Sequence, residues 1–430
     1  MKHCLTFLAF LLTSVSVFAA VSTTEKDIVQ YIDKHNDNAL SLLETTVNIN
    51  SGTMNFEGVR AVAEVLMPEF EQLGFKAYFE PGSAYNRAGH LIAKLEGGKG
   101  PKLLLIGHLD TVFEPSSPFQ TFEKLEENLA KGPGIADMKG GNIIILQALK
   151  ALHSVGELQD MNIWVVMTGD EELSGRPLSL SKEALIEGAK WADIALGFEN
   201  GDGNPKTANI SRRGSIGWTL NIKGTPSHSS QIFQESVGAG AIYEAARILH
   251  TFYEELRSEE LLTFNPGRII GGTTVTHDNA SNSGTTFGKN NVVAETAVVT
   301  GDIRGLSLLQ VNRVKAKMTA IVAQHLPKTS GEIEFSEGYP PLAPTQGNKT
   351  LLGLYSQVSE DLGYGKVGAV DPLNAGAADV SFTAEYVEMA IDGLGMSGSG
   401  DHTVNETGNL LALPSQSKRA ALLMYRLKQK

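Results

Sequence analysis

The chain has 430 residues, more than one hydrophobic core usually organises, so two domains are expected. Its composition, 42% hydrophobic and 20% charged, is ordinary for a soluble globular protein. A formal net charge of −12, with no run of Lys or Arg, argues against nucleic acid or an anionic membrane as the main partner.

In chain order, the first twenty residues stand apart. Lys2 and His3 precede an apolar run from Leu5 to Leu12, and the segment closes on Val17-Phe18-Ala19-Ala20. A cationic start, an apolar stretch too short to span a bilayer and small residues at the end describe a secretory signal peptide over 1–20, hence a periplasmic or secreted protein. An uncleaved anchor or a buried first strand are the alternatives. No later stretch is long and apolar enough to cross a membrane, so no membrane attachment is expected after cleavage. The only cysteine, Cys4, lies ahead of the apolar run, badly placed for a lipid at the cleavage point. Loss of the segment leaves no cysteine and a net charge of −13, since Lys2 is its one charged residue. Such a chain depends on its core, or on bound metal, for stability.

Continuous apolar runs at 103–106, 163–167, 193–198 and 387–391 read as buried parallel strands. Helical patterns lie at 56–73, 141–153, 182–190 and 415–427, and the second is apolar on nearly every side. Strand alternating with helix predicts an α/β domain, a mixed and largely parallel sheet covered on both faces. From about 209 to 338 the pattern changes. Ile216, Trp218, Leu220 and Ile222 alternate with polar residues, as in a strand with one wet face. A helix near 236–257, strands near 269–276 and 292–303, a helix carrying Val311, Val314, Met318, Ile321 and Val322, and a strand at 332–335 follow. That β-α-β-β-α-β order is a ferredoxin-like sandwich inserted into the larger domain. The expected organisation is therefore 1–20 signal peptide, 21–208 and 339–430 catalytic domain, and 209–338 inserted domain.

Five clusters of acidic or imidazole residues sit just past the carboxyl ends of predicted strands or in glycine loops, the edge where open α/β sheets bind ligands. They are Gly107-His108-Leu109-Asp110-Thr111, Gly132-Pro133-Gly134-Ile135-Ala136-Asp137-Met138-Lys139-Gly140-Gly141, Thr168-Gly169-Asp170-Glu171-Glu172, Gly197-Phe198-Glu199-Asn200 and Gly398-Ser399-Gly400-Asp401-His402. Each alone is an ordinary loop. Together they bring two histidines and at least three carboxylates to one edge, with no cysteine, which suits zinc held through nitrogen and oxygen. Five ligands exceed the need of one catalytic zinc, so two metals sharing a carboxylate fit better. Adjacent Glu171 and Glu172 divide naturally into one ligand and one base facing water. The remaining His90, His153, His250, His277 and His325 read as ordinary.

As an ordered set these motifs resemble the co-catalytic di-zinc exopeptidase family, which contains glutamate carboxypeptidase, succinyl-diaminopimelate desuccinylase, acetylornithine deacetylase and the aminoacylases. The Gly-Pro-Gly-Ile-Ala-Asp-x-Lys-Gly-Gly loop and the Asp-Glu-Glu triplet lie closest to the glutamate carboxypeptidase branch, and the resemblance covers nearly all of the chain after residue 20. It implies that the inserted domain is a lid that also makes a homodimer. It implies two Zn2+ per subunit, with Co2+ or Mn2+ as possible substitutes. Asp137 would bridge them, His108 and Glu199 would complete one site, and Glu172 and His402 the other. Glu171 would be the general base, and Asp110 would hold the ring of His108. His228, in Gly224-Thr225-Pro226-Ser227-His228-Ser229, would reach a neighbouring subunit's site to stabilise an oxyanion. Asn291 and Arg304 would hold the free carboxylate of the substrate, a task that suits the planar fork of Arg. Pro226 before Ser227-His228, and the small-residue run Gly395-Met396-Ser397-Gly398-Ser399-Gly400 before Asp401-His402, depart from the branch and put the substrate in doubt, not the mechanism.

The implied activity is removal of a C-terminal amino acid, such as glutamate, from a small peptide or N-acyl amino acid. An aminoacylase or dipeptidase on the same scaffold is the alternative. A binding protein that keeps the fold without activity should have lost ligands or the base, and none is lost here.

Overall fold

The computed structural model describes residues 21–278 and 281–429; the expected signal segment lies outside the described residues. Among the described residues no helix is long and apolar enough to cross a membrane.

Six strands form the main sheet, in the spatial order Lys76–Pro81, Gly89–Leu95, Asn162–Thr168, Lys102–His108, Ile194–Gly197 and Met389–Ile391. Gly89–Leu95 runs antiparallel to both its neighbours, and the other five strands share one direction. The expected mixed, largely parallel sheet is therefore present. Lys76–Pro81 and Gly89–Leu95 escaped the sequence because their apolar residues do not form a long run. Leu103, Leu104, Leu105 and Ile106 are buried on both faces, which explains a continuous apolar run in place of alternation.

Helix Gly140–Ser154 lies in the core, with Ile143 to Leu146 no more than 1% exposed, and packs on Ala412–Lys428. Three further helices surround this layer, each started by a polar cap. Ser22 and Glu25 form a capping box at Thr23–Lys34, Asn55 caps Phe56–Glu71, and Thr345 caps Gln346–Asp361.

The second unit is a four-stranded antiparallel sheet, in the order Thr263–Gly272, Thr296–Arg304, Ile216–Lys223, Ser330–Phe335. In the unit's own count that is 2-3-1-4, the ferredoxin-like arrangement. Helices Ala241–Leu256 and Leu308–Val322 cover one face, burying Trp218, Leu220, Ile222, Val299 and Ile303 against Phe252, Val314 and Met318. The helix near 236 begins five residues late because Gly238 and Gly240 adopt positive φ (+72° and +78°). The strand expected at 269–276 is two elements: Thr263–Gly272 belongs to the sheet, whereas Thr274–Asp278 pairs with Ser283–Phe287 in a separate hairpin.

Two chain crossings join the units. They run side by side, with Arg212 N–H donating to the Leu342 carbonyl at 2.9 Å and Ser215 N–H to the Tyr339 carbonyl at 3.0 Å.

Candidate metal centre

His108 is the last residue of a buried strand and its side chain is 1% exposed. Its Nε2 lies 3.2 Å from Asp137 Oδ1 and 3.6 Å from Glu199 Oε1. His402 approaches from the other side, on a loop where it takes φ +61°, with Nε2 3.1 Å from Asp137 Oδ2 and 3.2 Å from Glu172 Oε2. Asp137 thus offers one oxygen to each histidine. Donor atoms of His108, Asp137 and Glu199 all lie within 4.8 Å of one another, as do those of Asp137, Glu172 and His402. Zinc bound tetrahedrally at about 2.0–2.1 Å separates its donors by about 3.3–3.4 Å. The spacings found here suit two such ions on either side of Asp137.

The loops that carry His108, Asp137, Glu172 and Glu199 are held from behind. The Asp110 carboxylate is fully buried and accepts from Glu171 N–H and Glu172 N–H, both at 3.1 Å, and from Thr53 Oγ1 at 2.7 Å. Its carbonyl, rather than its carboxylate, is the nearer partner of His108 Nδ1, at 3.0 Å against 3.5 Å. Asp110 thus orients both the ring and the two glutamates. Asn142, on the core helix, donates to the His108 carbonyl at 2.6 Å. Glu406 accepts from the N–H groups of Gly134, Ala136 and Asp137, tying down the loop that carries the shared aspartate. Gly134 in that loop has φ +72°, and a Cβ there would stand 2.5 Å from Thr111 Cγ2, so only glycine fits. Asp392 accepts from Glu199 N–H at 3.2 Å and is itself paired with Arg212 at 2.7 Å.

Electrostatics favour cations at this point. Burial pushes Glu171 and Glu199 well above the usual carboxylate range, with neighbouring carboxylates adding to it: Asp379 and Glu172 for Glu171, Asp137 for Glu199. Burial would lower His108, but Glu199, Asp110 and Asp137 outweigh it and hold the ring well above its ordinary value. His402 is driven up to about 11 by its hydrogen bonds to Asp137 and Glu172. Crowded carboxylates raising one another, and histidines drawn to protonate among them, describe a cavity short of positive charge.

The three lid residues are placed differently. His228 and Asn291 lie together at one end of the lid sheet, both exposed, with Ser229 N–H on the Asn291 carbonyl at 2.9 Å. Arg304 ends strand Thr296–Arg304 and pairs with Asp302 at 2.9 Å, beside the crossings, where Gly214 N–H meets the Gly305 carbonyl. Strand geometry puts the two ends about 27 Å apart. Among the described residues no hydrogen bond or ion pair joins His228, Asn291 or Arg304 to the metal-binding groups.

Sequence reasoning missed the supporting residues. Glu406, Asp392 and Asp379 have no motif around them; the first two hold backbone far away in the chain, and the third holds distant side chains. His90 reads as ordinary, yet it is 2% exposed and links Tyr85 Oη, the Ser181 carbonyl and Gly169 N–H beneath the Glu171 loop.

Comparisons with known proteins identify the family. Residues 104–426 match the model of Peptidase family M20/M25/M40. Carboxypeptidase G2 from Pseudomonas sp. (strain RS-16) is 27% identical over 391 residues, covering 90% of this chain and 89% of the relative. Aminopeptidase PepT from Bacillus cereus superposes with a TM-score of 0.69 at 18% identity, over 91% of this chain and 98% of its own. The Bacillus subtilis YXEP protein, a dinuclear metal binding peptidase from the M20 family, gives 0.64 at 17% identity, over 92% and 99%. With the family model spanning three quarters of its length, and with the family's metal-dependent hydrolase relatives, this chain belongs to Peptidase family M20/M25/M40 and is a metal-dependent hydrolase.

Proposed function

We propose that this protein is an exported di-zinc exopeptidase that cleaves an amide beside a free carboxylate, releasing a C-terminal amino acid, glutamate foremost, from small peptides or N-acyl amino acids. The observation that carries the reading is Asp137, with one oxygen toward His108 and Glu199 and the other toward Glu172 and His402. Nitrogen and oxygen donors without sulfur suit zinc, and leave Co2+ or Mn2+ as substitutes. Two zinc ions bound there would polarise the scissile carbonyl and lower the pKa of the attacking water.

Glu171 takes the proton of that water as it adds to the carbonyl carbon, and returns it to the departing amine nitrogen as the C–N bond breaks. Among the described residues its carboxylate accepts no hydrogen bond, while its backbone is held on both sides. Burial raises the pKa of Glu171, which makes its carboxylate a better base toward water, while the acid it becomes is still stronger than the ammonium it forms on the amine. Arg304 fits the role of carboxylate clamp, since its guanidinium ends a strand beside the crossings to the catalytic domain. Resemblance to carboxypeptidase G2 along nine tenths of the chain supports release of a C-terminal residue.

A homodimer through the lid, which the family resemblance implies, is consistent with the separation of the lid residues. His228 and Asn291 lie a strand's length from Arg304, so they serve a second subunit's centre better than their own. Export rests on the cationic, apolar and small-residue pattern of 1–20.

The test is amino-acid release from dipeptides and N-acyl amino acids by protein starting at residue 21, with zinc and with a chelator. Chelator-sensitive release strongest for C-terminal glutamate or aspartate is expected. Preference for neutral residues would move the substrate to the aminoacylase or dipeptidase alternative, and release insensitive to chelator would sink the metal mechanism.

A further inference from the structure

Behind Glu171 lies a buried polar network that the mechanism above does not use. Lys182, with no exposure, bonds Asp170 Oδ1 at 2.9 Å and Asp379 Oδ1 at 3.0 Å. Asp379 also accepts from Thr168 Oγ1 through its other oxygen, at 2.5 Å. Tyr339 closes the network: its hydroxyl faces the Glu171 carbonyl at 3.1 Å and Asp379 Oδ1 at 3.2 Å, and meets Ser174 Oγ at 2.9 Å. The ring packs edge-on against Phe382, 4.9 Å between centroids, with the Lys182 ammonium 5.5 Å from its centre. Burial, reinforced by Asp379, raises the phenol well above its ordinary value, so it remains a donor.

Tyr339 belongs to the crossing that returns from the lid, four residues beyond strand Ser330–Phe335 and paired through its carbonyl with Ser215 on the outgoing crossing. Glu171 therefore has its N–H held by Asp110, within the catalytic domain, and its carbonyl held by a residue of the lid linker. A base without hydrogen bonds on its own carboxylate is aimed by its backbone.

We propose that Tyr339 is a positioning residue for Glu171: its hydroxyl, shared with Asp379, holds the Glu171 carbonyl and so sets the direction of the base from the lid crossing. The inference rests on the reading of Glu171 as the base. Tyr339→Phe keeps the ring and its packing and removes only the hydroxyl, and Ser174→Ala removes the neighbouring partner as a milder second variant. Amide hydrogen exchange of the metal-free protein is the direct readout. Exchange at 171–175 should quicken about tenfold in Tyr339→Phe and less in Ser174→Ala, with the rest of the chain and the zinc content of loaded protein unchanged. In turnover, kcat should fall about tenfold with KM within twofold, and the loss should shrink for substrates whose leaving amine needs little protonation. A purely structural role would slow all leaving groups alike, and that result overturns the proposal. Glu171→Gln separates the two readings. If it stays active, the assignment of the base fails and this inference with it. If it is inactive while Tyr339→Phe matches the natural protein in exchange and kcat, the base stands and only the inference falls.

Discussion

The metal-binding edge of the catalytic domain and the far end of the lid are built to different standards. At the first, all but the half-exposed His402 have a second residue fixing their backbone or ring: Asp110 for His108, Glu171 and Glu172, Glu406 for Asp137, Asp392 for Glu199. At the second, His228 is exposed, and among the described residues its ring hydrogen-bonds only Ser230, two residues along. Preorganisation of this kind is what electrostatic catalysis needs, because groups already in place cost no reorganisation when charge develops. An exposed histidine lacks it, unless another surface closes over it. On the proposed reading, one chain supplies its own metal ligands and takes part of its substrate site from a neighbour.

The largest effect should come from the better-built region. Glu171→Gln should lower kcat by about 10²–10⁴-fold, the usual worth of a general base, with bound zinc near the natural stoichiometry by metal analysis. Loss of zinc together with activity would instead make Glu171 a ligand. His228→Ala comes next, at about 10²–10³-fold in kcat, if it acts on the developing oxyanion. Mixing sharpens the comparison. Combining inactive Glu171→Gln with inactive His228→Ala under subunit exchange should restore activity, since one mixed site joins an intact Glu171 to an intact His228 from the neighbour. No recovery from mixed dimers, or full activity in a protein that scatters light as a monomer, would place His228 in its own subunit's site or in none.

The same contrast explains what the sequence disclosed. The ligand clusters were legible because strand ends and glycine loops place them, and because local runs such as 103–106 declare buried strands through apolarity alone. Asp137 could be singled out in Gly134-Ile135-Ala136-Asp137, since glycine there marks a backbone that comes close to something else. Glu406 could not. Its partners are 269 to 272 positions earlier, and an Asn-Glu-Thr triplet in a polar loop carries no local sign of burial. The hairpin Thr274–Phe287 was hidden for another reason: alternating Thr and Val residues continue the preceding strand's pattern, and only pairing with 283–287 separates them. Hydrophobic periodicity reports what an element buries, and says little about which distant polar group it meets.

Glu406 gives the next prediction, smaller than the first two. Glu406→Gln retains shape but sets an amide against three N–H groups that now share two carboxylate oxygens. Zinc affinity should weaken by about 10–100-fold, as for other residues that orient a ligand, measured by competition with a chromogenic chelator. Unchanged affinity would mean that the Asp137 loop holds its shape through Gly134 and its packing alone.

The smallest effect belongs to the lid and concerns pH. Glu244 is fully buried on helix Ala241–Leu256; burial alone would raise its pKa, but the bonds from Arg247 and from Leu326 N–H, with His325 nearby, hold it below the usual value. A folded pKa below the unfolded one, about 4.3 for Glu, means that the stabilisation is present above that value and is lost as pH falls through the folded one. The lid should therefore loosen on acidification below about pH 4 in a way that Glu244→Gln abolishes, read by hydrogen exchange at the amides of 241–256 and 326. The catalytic domain has its own version in Glu25, held low by Arg426 despite burial, on the helix that packs against Ala412–Lys428. If acid opened both units together in the Glu244→Gln protein, the lid would not be an independent folding unit, and the two crossings at Ser215 and Tyr339 would be rigid couplings rather than hinges.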